Sequence, residues 1–242
     1  MVKTFDMRAR ERPLAVYGPR GLQALVEHVL KPVIGRTGYP LAVRELEHHE
    51  EVKFDEFLIA SFPVLHRVEA YGYAFVEGDR PGRFDVEAAR ALGVTEGPDF
   101  GRLQRGEIVN GVRPEQVVGE DRPGRRIVYS GDTQPAQTTE VYAHRAAVLI
   151  HEATFCEDEK ARARETGHST ARQAARIAAD AGVKLLALTH LSTRYFPREI
   201  RDEARAVFPH TVVPRDFDAI EVPFPERGEP QLVKAELEPA SS

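Results

Sequence analysis

Arg126-Ile-Val-Tyr-Ser-Gly-Asp-Thr133 is the stretch on which the fold of this chain turns. Ile127, Val128 and Tyr129 are β-formers and predict a short buried strand. Gly131 breaks that strand and leaves Asp132 at its carboxyl end, where open α/β sheets place their chemistry. Taken alone, Ser-Gly-Asp-Thr reads equally well as a plain turn, since Asp and Gly are common turn residues. Two other segments weigh against the turn. Leu185-Leu-Ala-Leu-Thr-His190 and Phe57–His66 are apolar runs that each end in a histidine. Imidazole and carboxylate are ligands of catalytic zinc, and an aspartate can bridge two metals. Three strand ends carrying such groups point to one site more readily than three unrelated structural residues do.

Composition sets the class around that core. The 242 residues are 42% hydrophobic and 29% charged, as in an ordinary globular protein with a sizeable core. No apolar run approaches the roughly 20 residues needed to cross a bilayer, so no membrane partner is predicted. The first residues, Met1-Val-Lys-Thr-Phe-Asp6, lack a signal-peptide apolar region. Cys156 is the single cysteine, which rules out an intrachain disulfide and suits a reducing cytoplasm. It reads as a small packing residue. The net charge of −5 argues against a protein that coats nucleic acid generally, but a local basic patch suffices to engage phosphates.

Along the chain, strands alternate with helices, which predicts α/β layers. Leu14–Tyr17 and Leu41–Glu47 read as strands. A helix is predicted over Arg20–Lys31, ended by Pro32. His48 and His49 are neighbours that a strand would point to opposite faces, so they read as a solvated turn rather than a shared metal site. Residues 78–125 differ in character, being rich in Gly, Pro and charge. From Arg80 to Arg126 there are nine Arg against eight acids, so this insertion is not polybasic. Insertions of this length between strands are usually functional or disordered. Further on, helices are predicted over Thr138–Ala146, Ala171–Ala181 and Glu199–Val207. Ser169 or Thr170 would cap the second of these, and Gly182 would close it. The tail from Pro223 to Ser242 is expected to lack order.

Five segments carry a resemblance: Val64–Tyr73, Tyr129-Ser-Gly-Asp-Thr133, His151-Glu-Ala-Thr-Phe155, Gly167-His-Ser-Thr170 and Thr189-His-Leu-Ser-Thr-Arg-Tyr195. In order and wording they resemble ribonuclease Z, the tRNA 3′-processing endonuclease of the metallo-β-lactamase fold, from about Asp6 to Phe224. The resemblance implies an αββα sandwich over residues 1–222, with 78–125 as an inserted arm that grips tRNA; since the arm is not polybasic, it would have to cluster Arg83, Arg90, Arg102 and Arg105 on one side. It implies two zinc ions, His66 on one, His190 on the other and Asp132 bridging. His168 would act as proton donor to the leaving group, oriented by Glu152. Ser192 and Arg194 would contact substrate. The implied reaction is hydrolysis of precursor tRNA just after the discriminator base, leaving a 3′-hydroxyl, in a cytoplasmic enzyme that is a homodimer in the family.

One family signature, His-x-His-x-Asp-His, occurs nowhere in this chain. In the family it supplies four metal ligands upstream of a Tyr-Gly-Pro, here Tyr17-Gly-Pro19. The resemblance therefore makes the sandwich N-terminally incomplete, with Met1 an internal methionine of a longer protein. Three ligands divided between two zincs fall short of the three that each catalytic zinc normally keeps. The chain as written is accordingly expected to bind zinc weakly and to show little nuclease activity. Two other readings stand beside this one: a non-catalytic remnant that binds tRNA or pairs with another subunit, and a metallo-β-lactamase-fold hydrolase acting on a small ester.

Overall fold

The computed structural model describes residues 1–236. Its elements run as follows: α1 Val2–Met7, β1 Leu14–Gly18, α2 Leu22–Leu25, a π-helical turn Val26–Leu30, α3 Lys31–Ile34, β2 Leu41–Glu45, β3 Glu51–Lys53, β4 Phe57–Pro63 and β5 Tyr71–Glu77. Then come α4 Val86–Ala91, α5 Pro98–Gln104, β6 Arg126–Tyr129, α6 Gln137–Ala143, β7 Val148–Glu152, α7 Lys160–Thr166, α8 Ala171–Ala181 and β8 Leu185–Thr189. The last are α9 Pro197–Arg205, β9 Thr211–Val212, β10 Ala219–Glu221 and β11 Gln231–Val233.

Seven strands form the main sheet in the order β3-β4-β5-β6-β7-β8-β9. The strands β6 to β9 pair in parallel, so their carboxyl ends share one edge. This pairing explains why Ile127–Tyr129 and Leu185–Thr189 are nearly unbroken apolar runs, since parallel strands are covered on both faces. On one face, Phe62, Val128, Leu149, Leu186 and Leu188 pack against α6, α8 and α9. Helix α8 presents Ala171, Ala174, Ala175, Ala178 and Ala181 to the sheet, all but Ala181 fully buried. Small side chains let its backbone lie close to the strands. Thr170 is the cap: its hydroxyl accepts from Gln173 N at 3.2 Å, and Gln173 Oε1 accepts from Thr170 N at 2.9 Å. Gly182 closes the helix at φ 64°.

The opposite face is covered in two places. Val148, Leu185, Ala187 and Ile150 meet Ile220 and Val222, and Val52 and Tyr71 meet Tyr17 and Leu46. Among the described residues, the second strand layer consists of two-stranded sheets, β1-β2 and β10-β11.

Two expectations are corrected, and the insertion gains a description of its own. The first helix runs on past Pro32 to Ile34, because a π-helical turn precedes the proline and places it in the first turn of α3, where a missing N–H costs little. The tail beyond Pro223 is not featureless: β11 pairs antiparallel with β10 at residues 231–233. Residues 237–242, the rest of that predicted tail, lie outside the described residues. Finally, residues 77–125 form a compact unit separate from residues 1–76 and 126 onward. This unit has its own core of Ala89, Val94, Leu103, Val109, Val112 and Val117, so it is a folded insertion. Three of the four arginines singled out in the sequence are held by acids: Arg90 by Glu87 and Glu96, Arg102 by Asp99 and Glu107, and Arg105 by Glu107.

Gly72 in β5 is a position where only glycine fits. A Cβ there would stand 2.3 Å from the ring of Phe62, which is fully buried. Gly72→Ala is expected to destabilise the chain by about 1–3 kcal/mol through overpacking. A urea melt checks this, and an unchanged midpoint would show that the ring can yield.

Candidate active site

Each side chain of the site is delivered by the end of a sheet strand or by a loop pinned to one. After β6, buried Ser130 is followed by Gly131 at φ 66°, a left-handed turn open to glycine, which brings Asp132 and Thr133 over the sheet edge. Glu152 ends β7 and is almost fully buried. His190 follows β8 at φ 54°. A non-glycine residue in that region is uncommon and costs energy, an observation that points toward function. His66 follows β4, and its neighbour Leu65 is tied to the Asp132 loop. Leu65 N donates to Thr133 Oγ1 at 3.1 Å, and Gln134 N donates to Leu65 O at 2.7 Å. His168 comes from the turn after α7, just before α8, where Gly167 has φ 85°. A Cβ at Gly167 would stand 2.9 Å from His66 Nδ1.

These segments bring three imidazoles into a row. The ring of His168 lies 5.1 Å from that of His66 and 5.1 Å from that of His190, nearly parallel to the latter. Ligand atoms of Asp132, His168 and His190 all lie within 4.8 Å of one another. His66 stands outside that group, its Nδ1 against Gly167 O at 2.9 Å and its other nitrogen left over.

Glu152 organises the row from below. Its Oε1 accepts from Thr133 N at 2.9 Å and sits 2.7 Å from His168 Nδ1. Its Oε2 accepts from Ser169 N at 3.1 Å, Thr154 N at 3.1 Å and the Thr154 hydroxyl at 2.8 Å. Because the Thr154 hydroxyl gives its proton to Glu152, its oxygen is left to accept from His190 Nδ1, 2.9 Å away. His190 Nε2 then carries a lone pair, yet it faces Asp132 Oδ2 at 3.3 Å. Two acceptors at that distance call for a cation or a proton between them. Imidazoles whose second nitrogen is fixed by a neighbour are the usual arrangement around a metal. The donor set of Asp132, His168 and His190 therefore fits a metal ion.

Of the residues singled out in the sequence, His66, Asp132, Glu152, His168 and His190 converge. Ser192 lies beside them through the backbone, its N donating to Thr154 O at 3.2 Å. Arg194 is engaged elsewhere, with Nη1 2.9 and 3.0 Å from the two oxygens of Glu159. That pair is partly exposed, so an incoming phosphate can compete for the guanidinium. Thr154 is a residue whose part was missed. The signal was its place two residues after Glu152 in His-Glu-Ala-Thr, close enough for its hydroxyl to bond back to that carboxylate.

Other candidates separate from the site. His48 pairs with Glu69 and His49 with the Tyr142 hydroxyl, so the two adjacent histidines have different partners. Cys156 is buried, and burial pushes its thiol up to about 12, which keeps it protonated and inert. His151 is buried with Nδ1 2.7 Å from Glu152 O, and burial lowers its pKa, leaving a neutral core imidazole.

Comparison with known proteins agrees with this geometry. Residues 110–191 match the family described as "Beta-lactamase superfamily domain". The chain is 42% identical over 233 residues to ribonuclease Z of Myxococcus xanthus, covering 93% of this chain and 76% of that one. It is 42% identical over 235 residues to ribonuclease Z of Archaeoglobus fulgidus, with coverage of 93% and 76%. Among solved structures, human short-form tRNase Z superposes with a TM-score of 0.59 at 19% identity, over 92% of this chain and 72% of that one. The metallo-β-lactamase-fold protein YhfI of Bacillus subtilis gives 0.55 at 18% identity, over 87% and 66%. The structural likenesses establish the fold, the metallo-β-lactamase fold. Identity above two fifths across nearly all of the chain establishes the family: this protein belongs to ribonuclease Z.

Proposed function

We propose that the chain is a metal-dependent endoribonuclease that removes the 3′ trailer from precursor tRNA and leaves a 3′-hydroxyl. The observation that carries this reading is the buried Glu152 carboxylate holding both His168 and, through Thr154, His190 beside Asp132. Asp132 and His190, joined by His66 or His168, would hold the metal, with zinc the natural ion for such donors. When bound, the metal would neutralise charge on a phosphodiester and make water a better nucleophile. His168, fixed through Nδ1 by Glu152, keeps Nε2 free to give a proton to the departing oxygen. Thr154 and Glu152 keep His190 turned toward Asp132. Ser192 and Arg194 would meet the RNA backbone once Arg194 leaves Glu159.

The folded insertion at 77–125 is the natural arm for the body of a tRNA. With Arg90, Arg102 and Arg105 already paired to acids, its grip would rest on shape and on exchange of those partners more than on free charge. Family resemblance adds a homodimer in the cytoplasm, and exposed Leu25, Val29 and Val33 offer an apolar surface for such a contact. No helix among the described residues is long and apolar enough to cross a membrane.

Metal content and cleavage test the reading together. With zinc in excess, a group of three convergent donors is expected to take up about one ion per chain, and weakly, because the His-x-His-x-Asp-His signature is absent from this sequence. Two per chain would require donors beyond that group, and none would mean that the group is not a metal site. The metal-loaded chain is expected to cut a precursor tRNA slowly and once, at the trailer. A loaded chain that binds precursor tRNA without cutting it would instead make this a tRNA-binding protein.

A further inference from the structure

A second cleft begins a few residues after His190 in the chain. Phe196, six residues beyond His190, begins a cleft of about 540 Å³ formed by α9, β9 and the segments flanking β10 and β11. Its floor is apolar: Pro197, Val212, Val213 and Leu232. Its rim is basic, with Arg198, Arg201, Arg205, Arg215 and Lys234. Phe196 stands at one end with 77% of its surface exposed.

The acids around this rim do not cancel it. Asp202 serves both Arg198 and Arg201. Asp218 is occupied by the backbone, accepting from Arg215 N and from Ala235 N at 2.9 Å each. It thereby ties the segment entering β10 to the segment leaving β11, and sets Arg215 and Lys234 on one rim. Asp216 is the remaining acid of the lining. Arg205, which lines the cleft, is fixed by its Nε donating to Thr211 O at 2.8 Å. An apolar floor with a basic rim and an exposed aromatic ring is the combination that single-stranded nucleic acid needs: bases stack on the ring and floor while phosphates meet the cations. A span of six residues also limits the separation from His190 to about 20 Å, a few nucleotides.

We propose that this cleft binds a single-stranded stretch of the substrate RNA next to the scissile bond, an inference that rests on the ribonuclease reading of the His190 site. The probe is a short fluorescein-labelled oligouridylate, titrated against the full chain by anisotropy with EDTA present, so that binding is read without cleavage. Phe196→Ala is expected to weaken binding about tenfold by removing the stack. The doubly substituted chain Arg215→Ser, Lys234→Ser is expected to bind more weakly and to reduce the slope of log affinity against log salt by about 1.4. His168→Ala, which leaves the cleft intact, is expected to bind the probe as the parent does. All three residues of the cleft variants are exposed, and unchanged melting curves confirm their folding. Parent-like binding and salt slope in the cleft variants would overturn the proposal while leaving the cleavage reading standing. Weakened binding in those variants, with no cleavage by the metal-loaded parent, would support the cleft and sink the ribonuclease reading instead.

Discussion

Glu152→Gln is expected to fold and to lose about three orders of magnitude in the rate of precursor cleavage. The amide is the right size for the pocket but not the right chemistry. Glu152 is an acceptor on both oxygens, serving backbone N–H groups of Thr133, Thr154 and Ser169, the Thr154 hydroxyl and His168. An NH₂ group must meet one of these donors. The least crowded choice puts it against Thr133 N and His168 Nδ1. His168 then accepts at Nδ1, and the imidazolium that would give up its Nε2 proton loses the carboxylate that stabilises it. An aspartate-to-asparagine change behind a catalytic histidine costs about 10⁴-fold. Glu152→Ala is the harsher change. It leaves three backbone N–H groups without their acceptor, at about 1–3 kcal/mol each before water enters the space. A loss of about 3–5 kcal/mol is a large share of a typical domain's stability. Thermal melts of the two variants, with single-turnover rates for the glutamine form, check both statements. A glutamine variant with the parent's rate would remove Glu152 from the catalytic account.

His168→Ala is expected to lower the cleavage rate by about 10²–10⁴-fold, the range for loss of a positioned acid. Its value lies in a second reading, the metal content of the purified variant. His168 is the middle ring of the row, 5.1 Å from each neighbour, and it also contributes to the group of donors within 4.8 Å. If it acts as proton donor, metal content stays at the parent's level while the rate falls. If it is a ligand, the metal goes with it, because Asp132 and His190 alone fall short of three protein ligands. A substrate with a better leaving group gives a third check, since it should restore the rate of a variant that lacks only an acid. A variant with unchanged rate on the natural substrate would overturn both roles.

The parallel core was legible because periodicity and strand-end chemistry are local properties. Ile127–Tyr129 and Leu185–Thr189 announced covered strands, and Asp132 and His190 stood at their carboxyl ends. Helix α8 could be read with its cap and its closing glycine, since a Thr before a run of Ala and a Gly after it act within a few residues. His48 and His49, read as a solvated turn rather than a shared metal site, lie in a turn and have different partners. Wording shared with ribonuclease Z gave the family, and through it roles that no spacing contains.

Contacts between residues far apart in the chain decided the rest. That Glu152 holds His190 as well as His168 depends on Thr154 lying between β7 and the loop after β8, an arrangement created only by the pairing of those strands. That His168 joins Asp132 and His190 in one donor group depends on a turn delivered by α7 and α8 from the other side. Arg194 was read as open to phosphate, but Glu159, 35 residues earlier, reaches it in the folded chain. The core of the insertion was not legible because its apolar residues, Ala89 to Val117, are spread through Gly, Pro and charge without a period, and they form a core only when folded together. The cleft of Phe196, Arg215 and Lys234 has no signature in sequence at all, because the sheet edge and the Asp218 tie bring its walls together. Sequence by itself determined the strands, the family and most of the side chains that converge in the candidate site. Tertiary structure decided their partners, because a hydrogen bond or a shared ion depends on distances that the order of residues along the chain does not set.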